Sequence, residues 1–122
     1  MANILIADDS STMRKLILYA LKPTGHIGIE ASDGIEALEK MALTDIDLAI
    51  VDLNMPMMDG LELVRSIREN PLYNDLPIIM LTTEADHETK RRGYEAGVNS
   101  YLTKPTPHHL LLYKIESLLQ RD

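Results

Sequence analysis

Three carboxylates, a hydroxyl and an amine each follow a short apolar run of this sequence. The carboxylates are Asp8, Asp9 and Asp52, the hydroxyl is that of Thr82 and the amine is that of Lys104. Carboxylates that lie close together repel one another, and each then resists ionisation. A divalent cation removes this repulsion, and Mg²⁺ in particular prefers oxygen ligands and often keeps waters and phosphate oxygens in its shell. These residue types therefore predict a Mg²⁺ site that handles a phosphoryl group.

Asp52 is the predicted nucleophile of this site. A carboxylate that attacks phosphorus forms an acyl phosphate. Mg²⁺ and the Lys104 ammonium would offset the negative charge of the transferred group. Each residue also has an ordinary interpretation, because Asp often caps helices, Thr occurs in strands and Lys lies at surfaces. Only the arrival of all of them at one edge of a fold favours the chemical interpretation.

Short β-rich runs alternate with helical patterns along the chain. Continuous apolar runs at 4–7, 48–51 and 78–81 predict strands that are covered on both faces, as in a parallel sheet. Mixed runs at 26–31 and 98–102 predict the edge strands. The expected fold is a doubly wound, flavodoxin-like α/β domain, (βα)₅, with five parallel strands in the order 2-1-3-4-5. Ligands in such folds bind at the carboxyl ends of strands 1 and 3, where the predicted acidic residues lie.

Apolar spacing and capping residues indicate the first helices. The stripe of the first helix follows the i, i+3, i+4, i+7, i+8 pattern and consists of Met13, Leu16, Ile17, Ala20 and Leu21. Ser10 or Ser11 can cap this helix. Two further helices are expected to begin with the spacing of a capping box, which Asp33 and Glu36 provide for one and Asp59 and Glu62 for the other.

Two features mark the carboxyl-terminal helices. Pro107 is predicted in the first turn of the last helix, where a missing N–H costs nothing. The segment 84–96 is rich in charged residues and has only a weak apolar stripe. It is interpreted either as a loosely packed, movable helix or as an ordinary solvated surface helix.

Length, composition and charge restrict the class of protein. A chain of 122 residues has the usual size of one domain, predicted to span 1–122, and its 45% apolar content is enough for a core. The absence of Cys excludes thiolate chemistry, and the net charge of −7 argues against a nucleic-acid-binding surface. No signal peptide and no apolar run of membrane-spanning length occurs, so a cytoplasmic protein without a membrane partner is expected. We also expect a monomer.

Four stretches of the sequence resemble the motif blocks of two-component response-regulator receiver domains. They are Ile-Ala-Asp-Asp-Ser-Ser-Thr-Met-Arg at 6–14, Asp-Leu-Asn-Met-Pro-Met-Met-Asp-Gly at 52–60, Met-Leu-Thr-Thr-Glu at 80–84 and Tyr-Leu-Thr-Lys-Pro at 101–105. The blocks occur in order across essentially the whole chain. The sequence is most similar to the stand-alone, chemotaxis-regulator type of this family.

The resemblance implies a role for each residue of the acidic site. Asp52 matches the phosphoacceptor, Asp9 the direct Mg²⁺ ligand and Asp8 the acid that reaches the metal mainly through water. Asn54 matches the position whose backbone carbonyl binds Mg²⁺. Lys104 matches the lysine that contacts the carboxylate and the phosphoryl oxygens, and its bond to the following proline is typically cis in the family.

The resemblance also implies a switch. Thr82 matches the hydroxyl that the phosphoryl group attracts, and Tyr101 matches the aromatic that then changes rotamer. The partners expected are a sensor histidine kinase as phosphodonor and a downstream protein, such as a motor switch, a phosphatase or a phosphotransfer protein. The alternative interpretation of Tyr101 is an ordinary half-buried aromatic of an edge strand.

Two other functions compete with the signalling switch. An aspartate-nucleophile phosphohydrolase of the haloacid-dehalogenase type needs a second Asp two residues after the nucleophile, and Asn54 stands at that position. A pseudo-receiver that is never phosphorylated would act only as a binding module. The retained acids, Thr82 and Lys104 argue against this second alternative.

Overall fold

Five parallel strands form a single sheet in the computed structural model, which describes residues 1–120. The strand order is β2-β1-β3-β4-β5, as the sequence predicted. The strands are β1 (Asn3–Ala7), β2 (Ile27–Ala31), β3 (Leu48–Val51), β4 (Ile78–Thr82) and β5 (Ser100–Thr103). His26 and Asn99 belong to the predicted runs 26–31 and 98–102, but each lies one residue before the observed strand, β2 or β5.

Five helices connect and follow these strands. They are α1 (Ser11–Leu21), α2 (Gly34–Leu43), α3 (Gly60–Glu69), α4 (His87–Ala96) and α5 (His108–Leu119). Buried side chains of α1 and α5 pack on one face of the sheet, and those of α2 and α3 pack on the other. No helix within residues 1–120 is long and apolar enough to cross a membrane.

The three central strands carry the core, as their continuous apolar runs predicted. Every residue of β3 and β4 is buried, whereas β2 and β5 are only partly covered. Alternate residues of the central strands point to opposite faces of the sheet, so both faces are apolar. Packing on both faces fixes the carboxyl ends of these strands. It therefore also fixes the main chain of the polar residues that follow them.

Side-chain caps stabilise the starts of four helices, α1 to α4. The Ser10 hydroxyl accepts the Met13 N–H at the start of α1. Asp59 and Glu62 form a complete capping box on α3, with N···O distances of 2.9 and 3.1 Å. The other predicted box is incomplete, because Glu36 accepts the Ser32 N–H, one residue before the expected partner.

Three details of the predicted helices were wrong. Leu16 is 46% exposed, because α1 meets the sheet through a narrower stripe of Ile17, Ala20 and Leu21. Pro107 precedes α5 as its N-cap, since its ψ of 141° is extended and not helical. The charged segment begins its helix only at His87, where Asp86 caps α4.

The packing of α4 agrees with a weakly attached surface helix. Gly93 is the one buried residue within α4. An added Cβ at Gly93 would lie 3.1 Å from the ring of Tyr101, so the helix approaches β5 closely at this point. This exposure is compatible with both earlier interpretations of the segment.

Candidate functional site

The three acidic residues predicted from the sequence meet at the carboxyl edge of the sheet. Asp8 and Asp9 directly follow β1, and Asp52 directly follows β3. One ligand oxygen from each of the three lies within 4.8 Å of the others. Asp8 and Asp52 are buried, with 3% and 8% exposure, whereas Asp9 is exposed. The site therefore combines two buried carboxylates with one that is open to solvent.

Backbone hydrogen bonds extend the parallel ladder into the site. The Asp52 N–H donates to the Ala7 carbonyl at 2.8 Å, and the Asp8 N–H donates to the Ala31 carbonyl at 3.0 Å. Both acids are thus anchored to the rigid sheet by their own main chain. The main-chain positions from which the two carboxylates extend are therefore fixed by bonds of the ladder.

Gly60 lets the start of α3 lie directly against Asp52. An added Cβ at Gly60 would lie 2.2 Å from the Asp52 carbonyl oxygen, which is backbone and cannot easily yield. The Gly60 N–H also donates to the Leu53 carbonyl at 2.7 Å. The loop that leaves Asp52 is therefore closed tightly by a residue without a side chain.

Lys104 places its ammonium between the two buried acids. Its Nζ lies 2.8 Å from Asp8 Oδ2 and 3.5 Å from Asp52 Oδ2. The Lys104 N–H donates to the Thr82 carbonyl at 2.7 Å, so the β4–β5 pairing positions the lysine. The Lys104–Pro105 peptide bond is cis, as the sequence resemblance implied.

Burial raises the pKa of Asp52 above its ordinary value, and repulsion from Asp8 adds to this effect. The Lys104 ammonium, the Thr82 hydroxyl and the Leu53 N–H act in the opposite direction without reversing the shift. The Leu53 N–H donates to Asp52 Oδ1 at 2.8 Å. Lys104 therefore does not fully offset the effect of burial on the Asp52 carboxylate.

The donor set fits a hard divalent cation. All three cluster residues offer carboxylate oxygens, and an exposed carboxylate borders the buried pair. Oxygen-only ligands with access to water match the coordination of Mg²⁺ and not that of softer metals. An added positive charge at this point would also relieve the repulsion that raises the pKa of Asp52.

Thr82 and Tyr101, the two residues predicted to act as a switch, both contact Glu84. The fully buried Thr82 accepts the Glu84 N–H in a long, 3.4 Å contact. The Tyr101 hydroxyl donates to the Glu84 carbonyl at 2.6 Å. Burial raises the pKa of Tyr101, so the phenol remains a donor. Tyr101 is 8% exposed, which is more buried than the half-buried edge aromatic considered from the sequence.

Not every site residue could be identified from the sequence. Glu84 was noted only as part of a motif. Its main chain contacts the side chains of Thr82 and Tyr101, and a main-chain contact leaves no pattern in residue types. Arg14 was likewise quoted in a motif without a role, yet its side chain reaches the Asp8 carbonyl. Asn54 is exposed in the loop between β3 and α3. Its proposed carbonyl ligation remains a prediction.

Fold and site together define a class of protein. The profile of the response regulator receiver domain matches residues 4–116, and the chain belongs to this family. Its relatives include chemotaxis proteins. The chain is 42% identical over 118 residues to the chemotaxis protein CheY homolog of Campylobacter jejuni, covering 95% of this chain and 91% of that protein. It is also 42% identical to the chemotaxis protein CheY1 of Helicobacter pylori, covering 95% of each.

Solved structures agree with these relatives. The chemotaxis protein CheY4 of Vibrio cholerae is 37% identical, covers 97% of this chain and 98% of its own, and superposes with a TM-score of 0.91. The chain is therefore a receiver domain of the CheY-like type.

Proposed function

We propose that this protein is a phosphorylation-activated signalling switch, and that Asp52 accepts a phosphoryl group from the phosphohistidine of a sensor kinase. The observation that carries the proposal is the cluster of Asp8, Asp52 and Lys104 at the sheet edge, with the two Lys104 contacts of 2.8 and 3.5 Å. A helix cap or a surface lysine would have no reason to be buried in this arrangement. Membership of the receiver family supports the same conclusion.

Asp8, Asp9 and Asp52 would hold Mg²⁺, together with the backbone carbonyl of Asn54. When bound, Mg²⁺ supplies positive charge that keeps the carboxylates ionised and offsets the charge on the transferred phosphoryl group. An Asp52 oxygen forms the new bond to phosphorus, and the bond from phosphorus to the imidazole nitrogen of the kinase breaks. The Lys104 ammonium lies close enough to Asp52 to contact the phosphoryl oxygens.

Thr82 and Tyr101 would convert this chemistry into a change of surface. A phosphoryl group on Asp52 adds acceptor oxygens beside the buried Thr82 hydroxyl. If that hydroxyl turns toward the phosphoryl group, its contact with the Glu84 N–H is lost. The Glu84 carbonyl holds the Tyr101 hydroxyl, so the two residues are coupled through one stretch of main chain. The equilibrium between two arrangements then shifts by differential contacts.

Downstream partners are proposed to bind the surface formed by α4, β5 and α5. Tyr101 lies on β5 beneath α4, and α4 is weakly packed, so a change at Tyr101 reaches this surface first. A downstream protein such as a motor switch, a phosphatase or a phosphotransfer protein would bind there. The names of the relatives favour a role in chemotaxis.

Intact-mass spectrometry after incubation with acetyl phosphate tests the proposal. We expect one added phosphoryl group on the wild type in the presence of Mg²⁺, and none without Mg²⁺ or on Asp52→Asn. Asp59→Asn is the matched control, because Asp59 caps α3 and lies outside the acidic cluster. Persistent stoichiometric labelling of Asp52→Asn would contradict the assignment of the phosphoacceptor. Failure of the wild type to accept phosphate from this donor and from a sensor kinase would favour the pseudo-receiver.

A further inference from the structure

Arg14 connects α1 to both the acidic site and the edge strand. Its Nη1 donates to the Asp8 carbonyl oxygen at 2.6 Å, and its Nε donates to Glu30 Oε1 at 3.0 Å. The Arg14 side chain is only 16% exposed, whereas that of Glu30 is 40% exposed. An ion pair whose carboxylate is open to solvent contributes little by itself. The bond to the buried Asp8 carbonyl is therefore the more informative contact.

The Asp8 carbonyl is the point at which the chain leaves the sheet. The Asp8 N–H still pairs with the Ala31 carbonyl of β2, as the last bond of that ladder. The Asp8 carbonyl instead accepts the Arg14 guanidinium. The hydrogen bond from Arg14 therefore restrains the Asp8 carbonyl, which is the first main-chain group beyond the ladder.

This restraint acts directly on Asp9. The Asp8 carbonyl and the Asp9 N–H belong to the same planar peptide group, so fixing one fixes the direction in which the other leaves. Within residues 1–120, no described hydrogen bond involves the exposed Asp9 carboxylate. Its position therefore depends on the main chain, which Arg14 restrains through the Asp8 carbonyl and which the Ser10 N–H restrains through Asp8 Oδ1.

Asp8 itself is restrained independently. Its Oδ1 accepts the Ser10 N–H at 2.9 Å and its Oδ2 accepts the Lys104 ammonium at 2.8 Å. Loss of Arg14 would therefore leave the Asp8 carboxylate nearly in place while removing the described hydrogen bond to the carbonyl of the Asp8–Asp9 peptide. Asp8 and Asp9 are adjacent in the sequence, but the carboxylate of Asp8 is restrained by its own hydrogen bonds and that of Asp9 is restrained through the main chain.

We propose that Arg14 is a positioning residue for divalent-cation binding, and that it acts by orienting the Asp8–Asp9 peptide so that the Asp9 carboxylate faces Asp8 and Asp52. This inference rests on the proposed function, because it takes Asp9 as a Mg²⁺ ligand. Two diverging donors of a planar guanidinium hold the Asp8 carbonyl and Glu30 at once. A lysine at this position would keep the charge but not this geometry.

Charge and geometry make opposite predictions, which allows a sharp test. Arg14→Gln removes a positive charge near the site, so electrostatics alone would strengthen cation binding. Arg14→Lys keeps the charge, so electrostatics alone would leave binding unchanged. If Arg14 acts by positioning, both variants bind the cation more weakly. We expect about a tenfold loss for each, since residues that orient metal ligands typically have effects of this size.

Binding is measured directly, without phosphorylation, by titration calorimetry with Mg²⁺ and by the EPR signal of free Mn²⁺. The matched controls are Arg65→Lys and Arg65→Gln, because Arg65 is exposed on α3. Thermal denaturation confirms that each variant is folded at the titration temperature. Labelling by acetyl phosphate adds a second readout: the Mg²⁺ concentration for half-maximal rate should rise in both Arg14 variants, while the rate at saturating Mg²⁺ stays near the wild type.

The outcomes are distinct. Weaker binding by both Arg14 variants and unchanged binding by the controls supports positioning. Wild-type affinity in Arg14→Lys, or tighter binding by Arg14→Gln, overturns it and leaves the proposed function intact. A wild type that binds neither cation overturns the proposed Mg²⁺ site, and the role of Arg14 with it.

Discussion

The Lys104 ammonium lies closer to Asp8 than to Asp52, at 2.8 Å against 3.5 Å. It links the end of β1 to the segment after β5, across the buried end of β3. Among the described residues it is the one side-chain cation that contacts both carboxylates. Its contribution to stability should therefore depend on whether a metal ion is present.

Lys104→Met should lower the stability of the metal-free protein by about 3 kcal/mol, because removal of one partner leaves buried charge uncompensated. Added Mg²⁺ should restore part of this loss, since the cation takes over the neutralisation. Urea denaturation with EDTA and with Mg²⁺ measures both effects, and Lys15→Met at an exposed position of α1 is the control. A loss of equal size in both conditions would argue against a shared role of lysine and metal.

Asp52→Asn should stabilise the metal-free protein at neutral pH. Burial and Asp8 raise the pKa of Asp52 in the folded state, so the folded protein binds this proton more tightly than the unfolded chain does. Wild-type stability must then fall as the pH rises from the ordinary carboxyl pKa through the raised one. The advantage of Asp52→Asn should be complete above the raised pKa and should shrink as the pH falls through it.

Urea denaturation in EDTA between about pH 4 and pH 7.5 follows this difference, over a range chosen from the ordinary carboxyl pKa upward. Asp45→Asn removes one negative charge at an exposed position and controls for net charge. An advantage of Asp52→Asn that stays constant over the whole range would show that burial of charge is not its cause.

Gly60→Ala should damage both folding and phosphorylation. The added methyl group would lie 2.2 Å from the Asp52 carbonyl oxygen, so either α3 or the loop after Asp52 must shift. We expect a loss of about 2 kcal/mol, as for other overpacked sites, and slower labelling by acetyl phosphate. In the control, Gly28→Ala, the nearest atoms are side-chain ends of Leu18 and Ile6 and not backbone. Equal labelling rates for Gly60→Ala and wild type would show that the loop tolerates the shift.

The fold was predictable because its signals are local and mutually consistent. Apolar runs such as 78–81 identify buried strands, and caps such as Asp59 identify helix starts. The order of strands then places Asp8 and Asp52 at one edge. The sequence could not show that Leu16 of α1 is half exposed, because this depends on packing between elements.

The sequence could predict only those site residues that act through the chemistry of their own side chains. Acidic residues and a lysine at strand ends suggest a phosphoryl site, whereas Arg14 acts on a main-chain carbonyl that any residue type would provide. Glu84 likewise contributes its backbone and not its carboxylate. Contacts of this kind depend on three-dimensional placement alone.

Arg68→Met should loosen the carboxyl-terminal end of α4. The Arg68 guanidinium donates to the carbonyls of Gly97 and Tyr73 and to Asn99 Oδ1, at 3.0, 2.7 and 3.0 Å. Burial lowers the pKa of Arg68, so the charge is already held at some cost. We expect a stability loss of about 2 kcal/mol, since hydrogen bonds from charged donors are worth more than neutral ones.

Hydrogen exchange should then rise at the Gly97 and Val98 amides, which close the end of α4 by donating to Gly93. Arg65→Met controls for the loss of charge, because Arg65 lies on α3 like Arg68 but is exposed. If exchange increases uniformly over the protein, Arg68 supports global stability and does not anchor this end of the helix.

Tyr101→Phe should uncouple β5 from the segment that follows Thr82. The Tyr101 hydroxyl donates to the Glu84 carbonyl at 2.6 Å, and the Glu84 N–H makes only a long contact with Thr82 Oγ1. Loss of the stronger of these two bonds should cost about 1 kcal/mol and should speed hydrogen exchange at residues 83–86. Tyr113→Phe is the control, because Tyr113 is 68% exposed on α5.

The same variant separates switching from phosphoryl transfer. Tyr101 lies outside the acidic cluster, so Tyr101→Phe should be labelled by acetyl phosphate at nearly the wild-type rate. In the wild type, phosphorylation should change hydrogen exchange at residues 83–86. In Tyr101→Phe this change should be smaller, because the hydrogen bond from Tyr101 to the Glu84 carbonyl is already absent. A full wild-type difference in Tyr101→Phe would mean that the signal leaves Thr82 by a route other than the Glu84 carbonyl.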